Sequence, residues 1–482
     1  MEEDAPRAAP APEGIEAPPP SMPVLVEAPG VRADLGLAHG TPESPGPRET
    51  HLASVPSHRV PPGFRGPIPR DGDAEDTMPA PSWTPMCADA SLGTTPHLPM
   101  NKGGWRYMAA GPAAQMLPTT VYRTLDIAPA CVHWSWQDRS AFTRISADAM
   151  VVGTDKGYRS ARTNVGVRQG AWYVELEVLP PDASSEPPVP MRDGPHVRVG
   201  WGRREASLNA PVGWDAYSYG LRDQTGACVT QSRLAPLGRA FGPGDVVGLY
   251  IRLPPHDAAL RPGTERRIAQ KRIPIRYRGQ LYFESLEYAP TRAMEALMEQ
   301  QRRGGLGWDA HAAPPDEKRA RPSRAPAPHD TQRPAPPTLP DSCIGFVVNG
   351  EPQGIAFADL FDFRPPVART KKKKEEISTY ASVSTILKSR QNEYDDGMLG
   401  YYVMASMYGG ARVRLRADTF RYPPPADLED ALWRAGAAPG VERAQQKAAP
   451  AWRPLAERYA EWCSEAAALD RDDDALAASA AS

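Results

Sequence analysis

GVRQGAWYVELEVL, residues Gly166 to Leu179, alternates its side chains with the two-residue period of a β-strand. Trp172, Val174, Leu176 and Val178 fall on one face and Tyr173, Glu175 and Glu177 on the other, which predicts a half-buried strand. The next apolar segment, HVRVGW from His196 to Trp201, sets Val197, Val199 and Trp201 against Arg198 on the opposite face. GPGDVVGLYIRL, from Gly242, repeats the alternation after a glycine-bearing turn. IGFVVNGEPQGIAF holds Asn349-Gly350 between two apolar runs, a dipeptide that favours tight hairpins because both residues tolerate positive φ. In ARVRLRA, Val413 and Leu415 face one way and Arg412, Arg414 and Arg416 the other. Many short strands split by turn residues predict an all-β fold, an antiparallel β-sandwich with long loop insertions.

Composition limits how much of the chain that sandwich uses. Of 482 residues, 56 are proline and 40 glycine, and 21 of the prolines lie in the first hundred positions. A segment so poor in aromatic residues cannot offset its ordering entropy by burial, so residues 1–105 are expected to be disordered and 106–430 to form the sandwich. Insertions are expected near 255–275, 301–340 and 365–396, with a short surface helix, RAMEALMEQQRR, from Arg292. A linker at 431–450 precedes an amphipathic helix at 451–470 and a disordered tail at 471–482. In that helix Trp452, Leu455, Tyr459, Trp462, Ala466 and Leu469 recur at steps of three and four. The stripe fits equally a helix packed on its own sandwich or an intermolecular bundle.

Charge and cysteine usage exclude several function classes. The formal net charge is −2, so any nucleic-acid contact must come from local patches. Five scattered cysteines without a CxxC pair argue against zinc and disulfide frameworks and fit a reducing compartment. No apolar run approaches a membrane span or a signal-peptide core, which predicts a soluble intracellular protein. A Walker loop, HExxH and GxSxG are all missing, so neither a catalytic residue, a metal nor a cofactor is expected.

GYRSARTNVGVRQGAWYVELEVL, HVRVGWGRREASLNAPVGWDAYSYGLR, GPGDVVGLYIRLP and FVVNGEPQGIAF together resemble an SPRY domain. More narrowly, GVRQGAWY and APVGWDAYSYGLR resemble the SPRY-bearing Ash-two/Bre-two subunits of COMPASS, the histone H3 lysine 4 methyltransferase assembly, over about residues 120–425. TFRYPP, near Tyr422, is similar to the family's closing strand. The animal members' N-terminal zinc finger and winged helix are missing here, which points to the fungal type; the resemblance to COMPASS subunits implies a nuclear protein.

The resemblance implies a non-catalytic scaffold subunit. Its SPRY surface would bind an acidic segment of the WD-repeat propeller subunit and so support the SET-domain methyltransferase. Motif matching carries the acidic-peptide positions onto Tyr158, Arg198, Pro211, Trp214 and Arg222, the family usually having tyrosine at the Trp214 position. The C-terminal stripe would dock on a small helical dimer of the dumpy-thirty type through Leu455, Tyr459 and Trp462. Lys371, Lys372, Lys373 and Lys374 are a nuclear import signal, a contact to nucleosomal phosphates or a solvated charge run. The competing readings are an SPRY substrate adaptor of a ubiquitin ligase and nucleic-acid binding along Arg412, Arg414 and Arg416.

Overall fold

The computed structural model describes residues 66–85, 91–101, 104–113, 117–180, 194–255, 272–288, 291–303, 336–364, 397–443 and 450–481. Ten strands carry the sandwich: β1 (Trp134–Arg139), β2 (Arg159–Val167), β3 (Gly170–Leu179), β4 (His196–Gly202), β5 (Ser218–Arg222), β6 (Val246–Leu253), β7 (Cys343–Val348), β8 (Glu351–Ala358), β9 (Tyr401–Tyr408) and β10 (Arg412–Arg416). One sheet runs β5-β4-β9-β2-β1, extended beyond β5 by two short strands, and the other runs β10-β3-β6-β7-β8. Alternation supplies the core between them. Val197, Val199, Trp201, Val403 and Ala405 from the first sheet share one cluster with Trp172, Val174, Leu176, Leu249, Ile251, Phe346 and Val413 from the second. The β7–β8 hairpin turns at Asn349 and Gly350, whose φ values of 50° and 82° match the mirror-image turn their sequence predicts.

The strand β3 is buried on both faces, which corrects the half-buried reading. Ala171, Tyr173, Tyr250 and Val347 pack under a helix, α2 (Leu428–Ala435), with Leu428 and Leu432 inserted between them. Glu175 is fully buried there and accepts the backbone N–H groups of Arg421 at 2.6 Å and Tyr422 at 2.9 Å. TFRYPP is therefore a loop pinned by a carboxylate, where the sequence suggested a strand. The predicted linker at 431–450 likewise contains most of α2.

Two boundaries also move. Short strands at Thr77–Met78, Thr84–Pro85 and Gly93–Thr94 place order well before residue 106, and Met78 and Leu98 join the main core. The helix from Arg292, labelled α1 (Arg292–Arg303), buries Met294 and Ala296 instead of lying free on the surface.

The C-terminal helix, α3 (Arg458–Ala481), starts later than expected and continues through the segment read as a tail. Residues Arg453–Pro454 pair in parallel with Trp172 and Tyr173, and Leu455–Glu457 form one 3-10 turn before α3. Arg458 is buried and donates to the Gly166 carbonyl at 2.9 Å. Farther along, Asp470 accepts the Thr124 N–H at 2.7 Å, and Asp474 accepts those of Thr119 and Thr120 at 2.8 and 2.6 Å. Arg272 neutralises this acidic turn, reaching Asp470 at 2.9 Å and Asp473 at 3.0 Å while lying over the Phe283 ring.

Arg272→Ala should raise amide exchange about tenfold in the part of α3 around Asp470 to Asp474, since it removes two charge-assisted bonds. Hydrogen exchange by mass spectrometry checks this, with β4 and β5 as the unchanged reference. Burial pushes the Asp473 carboxyl up to about 6 against the pull of Arg272, so its stabilising protonated form is lost as pH rises through that value. The same segment should accordingly exchange faster at pH 7 than at pH 5 after correction for intrinsic rates.

Candidate functional site

Directly opposed residues of antiparallel strands project to one face, and the register of β2, β9, β4 and β5 builds a surface on the side away from the main core. One row holds Ser160, Ser406, Arg198 and Arg222, through the pairs Ser160–Ser406, Ser406–Arg198 and Arg198–Arg222. The next row inward holds Arg162, Met404, Gly200 and Gly220. At the outer edge Tyr408 pairs with His196, their rings stacked at 6.0 Å, and Tyr158 lies 5.1 Å from Tyr408.

One glycine of this row makes room for a loop. A Cβ on Gly220 would meet Val212 at 2.9 Å, so residues 203–217 can lie on the sheet there only because that side chain is missing, whereas a Cβ on Gly200 would overlap the Tyr219 carbonyl of the neighbouring strand β5 at 1.9 Å. The loop's frame is polar and internal. Buried Asp215 accepts the N–H groups of Ser207 and Tyr217 and the Ser218 hydroxyl, each at 3.0 Å. Arg162 donates to the carbonyls of Arg203 at 2.8 Å and Ala206 at 3.0 Å. Within the loop, Pro211 to Trp214 form a tight turn, the Trp214 N–H reaching the Pro211 carbonyl at 3.0 Å and Gly213 taking φ 81° at its third position. Val212 N–H binds Ser406 Oγ at 2.9 Å, which fixes the turn to the row that carries Arg198.

Tyr158, Arg198 and Arg222 thus share one face, with Pro211 and Trp214 on the turn docked beside it. The Arg198 guanidinium lies 5.3 Å above the Tyr158 ring and is only 8% exposed. Burial pulls its pKa below the usual arginine value, an effect opposed by Tyr158 and reinforced by Arg222. Among the described residues, the Nε atoms of Arg198 and Arg222 are buried without hydrogen-bond partners.

Neighbours to which sequence reasoning gave no role complete the face. Gln224 accepts from Arg222 Nη2 and lies 2.9 Å from His196 Nε2, while Asp223 lies 3.0 Å from His196 Nδ1. An amide N–H donated to Nε2 leaves the imidazole proton on Nδ1, directed at Asp223. His196 is therefore a spacer that fixes Gln224, and through it Arg222. The face thus sets two guanidinium groups beside aromatic rings, with the Asp223 carboxylate next to them, a chemistry able to hold carboxylates.

The SPRY domain profile matches residues 186–257, which include Arg198, Arg222 and the Pro211 turn. Set1 complex component ash2 of Schizosaccharomyces pombe is 34% identical over 369 residues, covering 77% of this chain and 47% of that protein. COMPASS component cclA of Colletotrichum higginsianum is 32% identical over 394 residues, covering 73% and 63%. The chain belongs to the SPRY-bearing Ash2/Bre2 family. Its similarity extends to animals, at 30% identity over 281 residues with the Set1/Ash2 histone methyltransferase complex subunit ASH2 of Drosophila melanogaster, covering 55% and 40%. The chain spans about half the length of these relatives.

The remaining expected positions of this Ash2/Bre2-type chain behave differently from one another. Leu455 is fully buried in the main core, so it cannot serve as an anchor for a helical partner. Tyr459 and Trp462 pack on that core as well but stay half-buried, and they line a cavity of about 180 Å³ between α3 and residues such as Thr77, Arg123 and Leu125. The stripe is thus largely used by the chain itself. Lys371, Lys372, Lys373 and Lys374 lie outside the described residues. On β10, Arg416 pairs with Glu177 at 2.8 Å and Arg412 reaches Ser91 at 2.8 Å, which leaves Arg414 as the exposed member of that stripe.

Proposed function

We propose that this chain is a non-catalytic subunit of a COMPASS-type histone H3 lysine 4 methyltransferase complex in the nucleus. Its Arg198 face captures an acidic segment of the WD-repeat propeller subunit, α3 recruits a small helical dimer, and the assembled subunits raise the output of the SET-domain enzyme. The observation that carries the reading is the register pair Arg198–Arg222. Like charges directly opposed across a sheet are unfavourable, and burial makes the pair worse. Buried Asp223 offsets part of that repulsion at Arg198, and a further carboxylate between the two guanidinium groups would reverse it, which supports an anionic partner. Tyr158 and the Pro211 turn supply the walls for the peptide carrying it. For the helical dimer, α3 offers its outward surface with Tyr459 and Trp462 at the margin.

Tagged purification from the native cell through a moderate-salt wash tests the proposal. Recovery of a WD-repeat subunit, a SET-domain subunit and a small helical protein is the expected result. Recovery of cullin or ubiquitin-ligase components in their place would overturn it in favour of a substrate adaptor.

A further inference from the structure

The loop that carries Pro211 and Trp214 is covered on its outer side by a helix belonging to none of the sandwich strands. Met294 of α1 is 2% exposed and shares a cluster with Ala206, Val212 and Tyr217 of the loop and Met404 of β9, against which Leu297 and Met298 also pack. Val212 therefore lies over Gly220 on the sheet side and belongs to the same buried cluster as the methionine-rich face of the helix. Methionine side chains adapt their shape to such a gap. The helix in turn depends on this contact, because a 12-residue helix is marginal in water without tertiary packing. Its start is fixed by Thr291, whose carbonyl accepts the Glu295 N–H at 2.8 Å.

We propose that α1 is a positioning element of the acidic-peptide face, holding the turn from Pro211 to Trp214 against the sheet through Val212 and Tyr217. The inference rests on the reading of that face as an acidic-peptide site. Because α1 and the turn stabilise each other, coupling runs both ways: loosening α1 weakens peptide binding, and peptide binding tightens α1 without touching it.

The test uses the full chain and an Asp/Glu-rich peptide from the propeller subunit, with calorimetry for affinity and hydrogen exchange for the loop. Met294→Ser combined with Leu297→Ser should weaken binding about tenfold, raise exchange in residues 206–217, and move the melting temperature of the sandwich little. Met294→Leu should restore binding. In a Trp214→Ala background the same double substitution should cost less than twofold, since the turn it positions has already lost its wall. Peptide added to the unmodified chain should slow exchange in α1. An unchanged affinity, or an undiminished tenfold loss in the Trp214→Ala background, would overturn the proposal. Failure of the unmodified chain to bind the peptide removes the acidic-peptide reading itself and is recognised by that control alone.

Discussion

Arg198→Ala should lower the affinity for an acidic propeller-subunit peptide by tenfold or more and leave the melting temperature nearly unchanged. The binding half follows from the chemistry of the fork. A guanidinium with a buried, unpartnered Nε, stacked above Tyr158, gives a carboxylate charge-assisted bonds worth roughly 1.5–3 kcal/mol, and about 1.4 kcal/mol is a factor of ten. The stability half follows from the register. Truncation removes the cation–π contact with Tyr158, about 0.5–2 kcal/mol, but also relieves the desolvation of Arg198 and its repulsion from Arg222. Arg198→Lys should recover only part of the binding, because a point charge replaces a bidentate fork. Isothermal calorimetry beside thermal unfolding decides the matter. A fall of several degrees in melting temperature would make Arg198 a structural residue, and unchanged affinity would remove it from the site.

Period-two alternation identifies which face a strand residue takes, so the placement of Arg198 opposite Val197, Val199 and Trp201 is legible in the sequence alone. What the pattern cannot give is what lies over that face. Glu175 and Tyr173 read as solvent-facing because their cover, α2 and the Arg421–Tyr422 loop, comes from far along the chain. The stripe of Leu455, Tyr459 and Trp462 is legible as apolar, whereas its destination, the chain's own core, depends on where β3 leaves an open flank. Composition misplaces residues 66–105 for a related reason. It registers their prolines but not that Met78, Leu98 and the Asp73–Arg276 pair tie the segment to a sandwich built elsewhere. Gln224 and Ser406 lie outside the motifs, and His196 and Asp215 lie inside them without a role assigned to them there. The one signal for Asp215 is a lone aspartate between two aromatics in GWDAYSYG, the composition of a turn capped by its own carboxylate.

Asp138→Ala should produce the largest loss of stability in the molecule, about 3–5 kcal/mol, the scale for removing one partner of a buried ion pair. Asp138 takes the guanidinium of Arg162 bidentately, both bonds at 2.8 Å, with Arg204 at 3.7 Å, and all three side chains are buried. Substitution strands two positive charges in the interior, where the carboxylates left to balance them are less direct: Glu287, 4.0 Å from Arg204, and Asp215, which feels Arg162 through space. Burial alone would raise the Asp138 carboxyl, but Arg162 first and then Arg204 override it and hold the group well below the usual carboxylate range. Since the folded value lies below the unfolded one, near 3.9, the stabilisation is complete above about pH 4 and is lost as pH falls beneath it. Chemical denaturation at pH 7 and pH 3 should therefore show the variant far weaker than the unmodified chain at pH 7 and the gap narrowing at pH 3. Adding Arg162→Met should return part of the loss, because it removes one of the stranded charges. Arg162 also holds the carbonyls of Arg203 and Ala206, so the loop bearing Pro211 and Trp214 should loosen in Asp138→Ala. Peptide affinity should fall along with stability, the opposite of the separation expected for Arg198→Ala. A variant that lost stability yet kept full affinity would mean that the buried network supports the sandwich alone, with the loop held independently by Asp215 and Ser406.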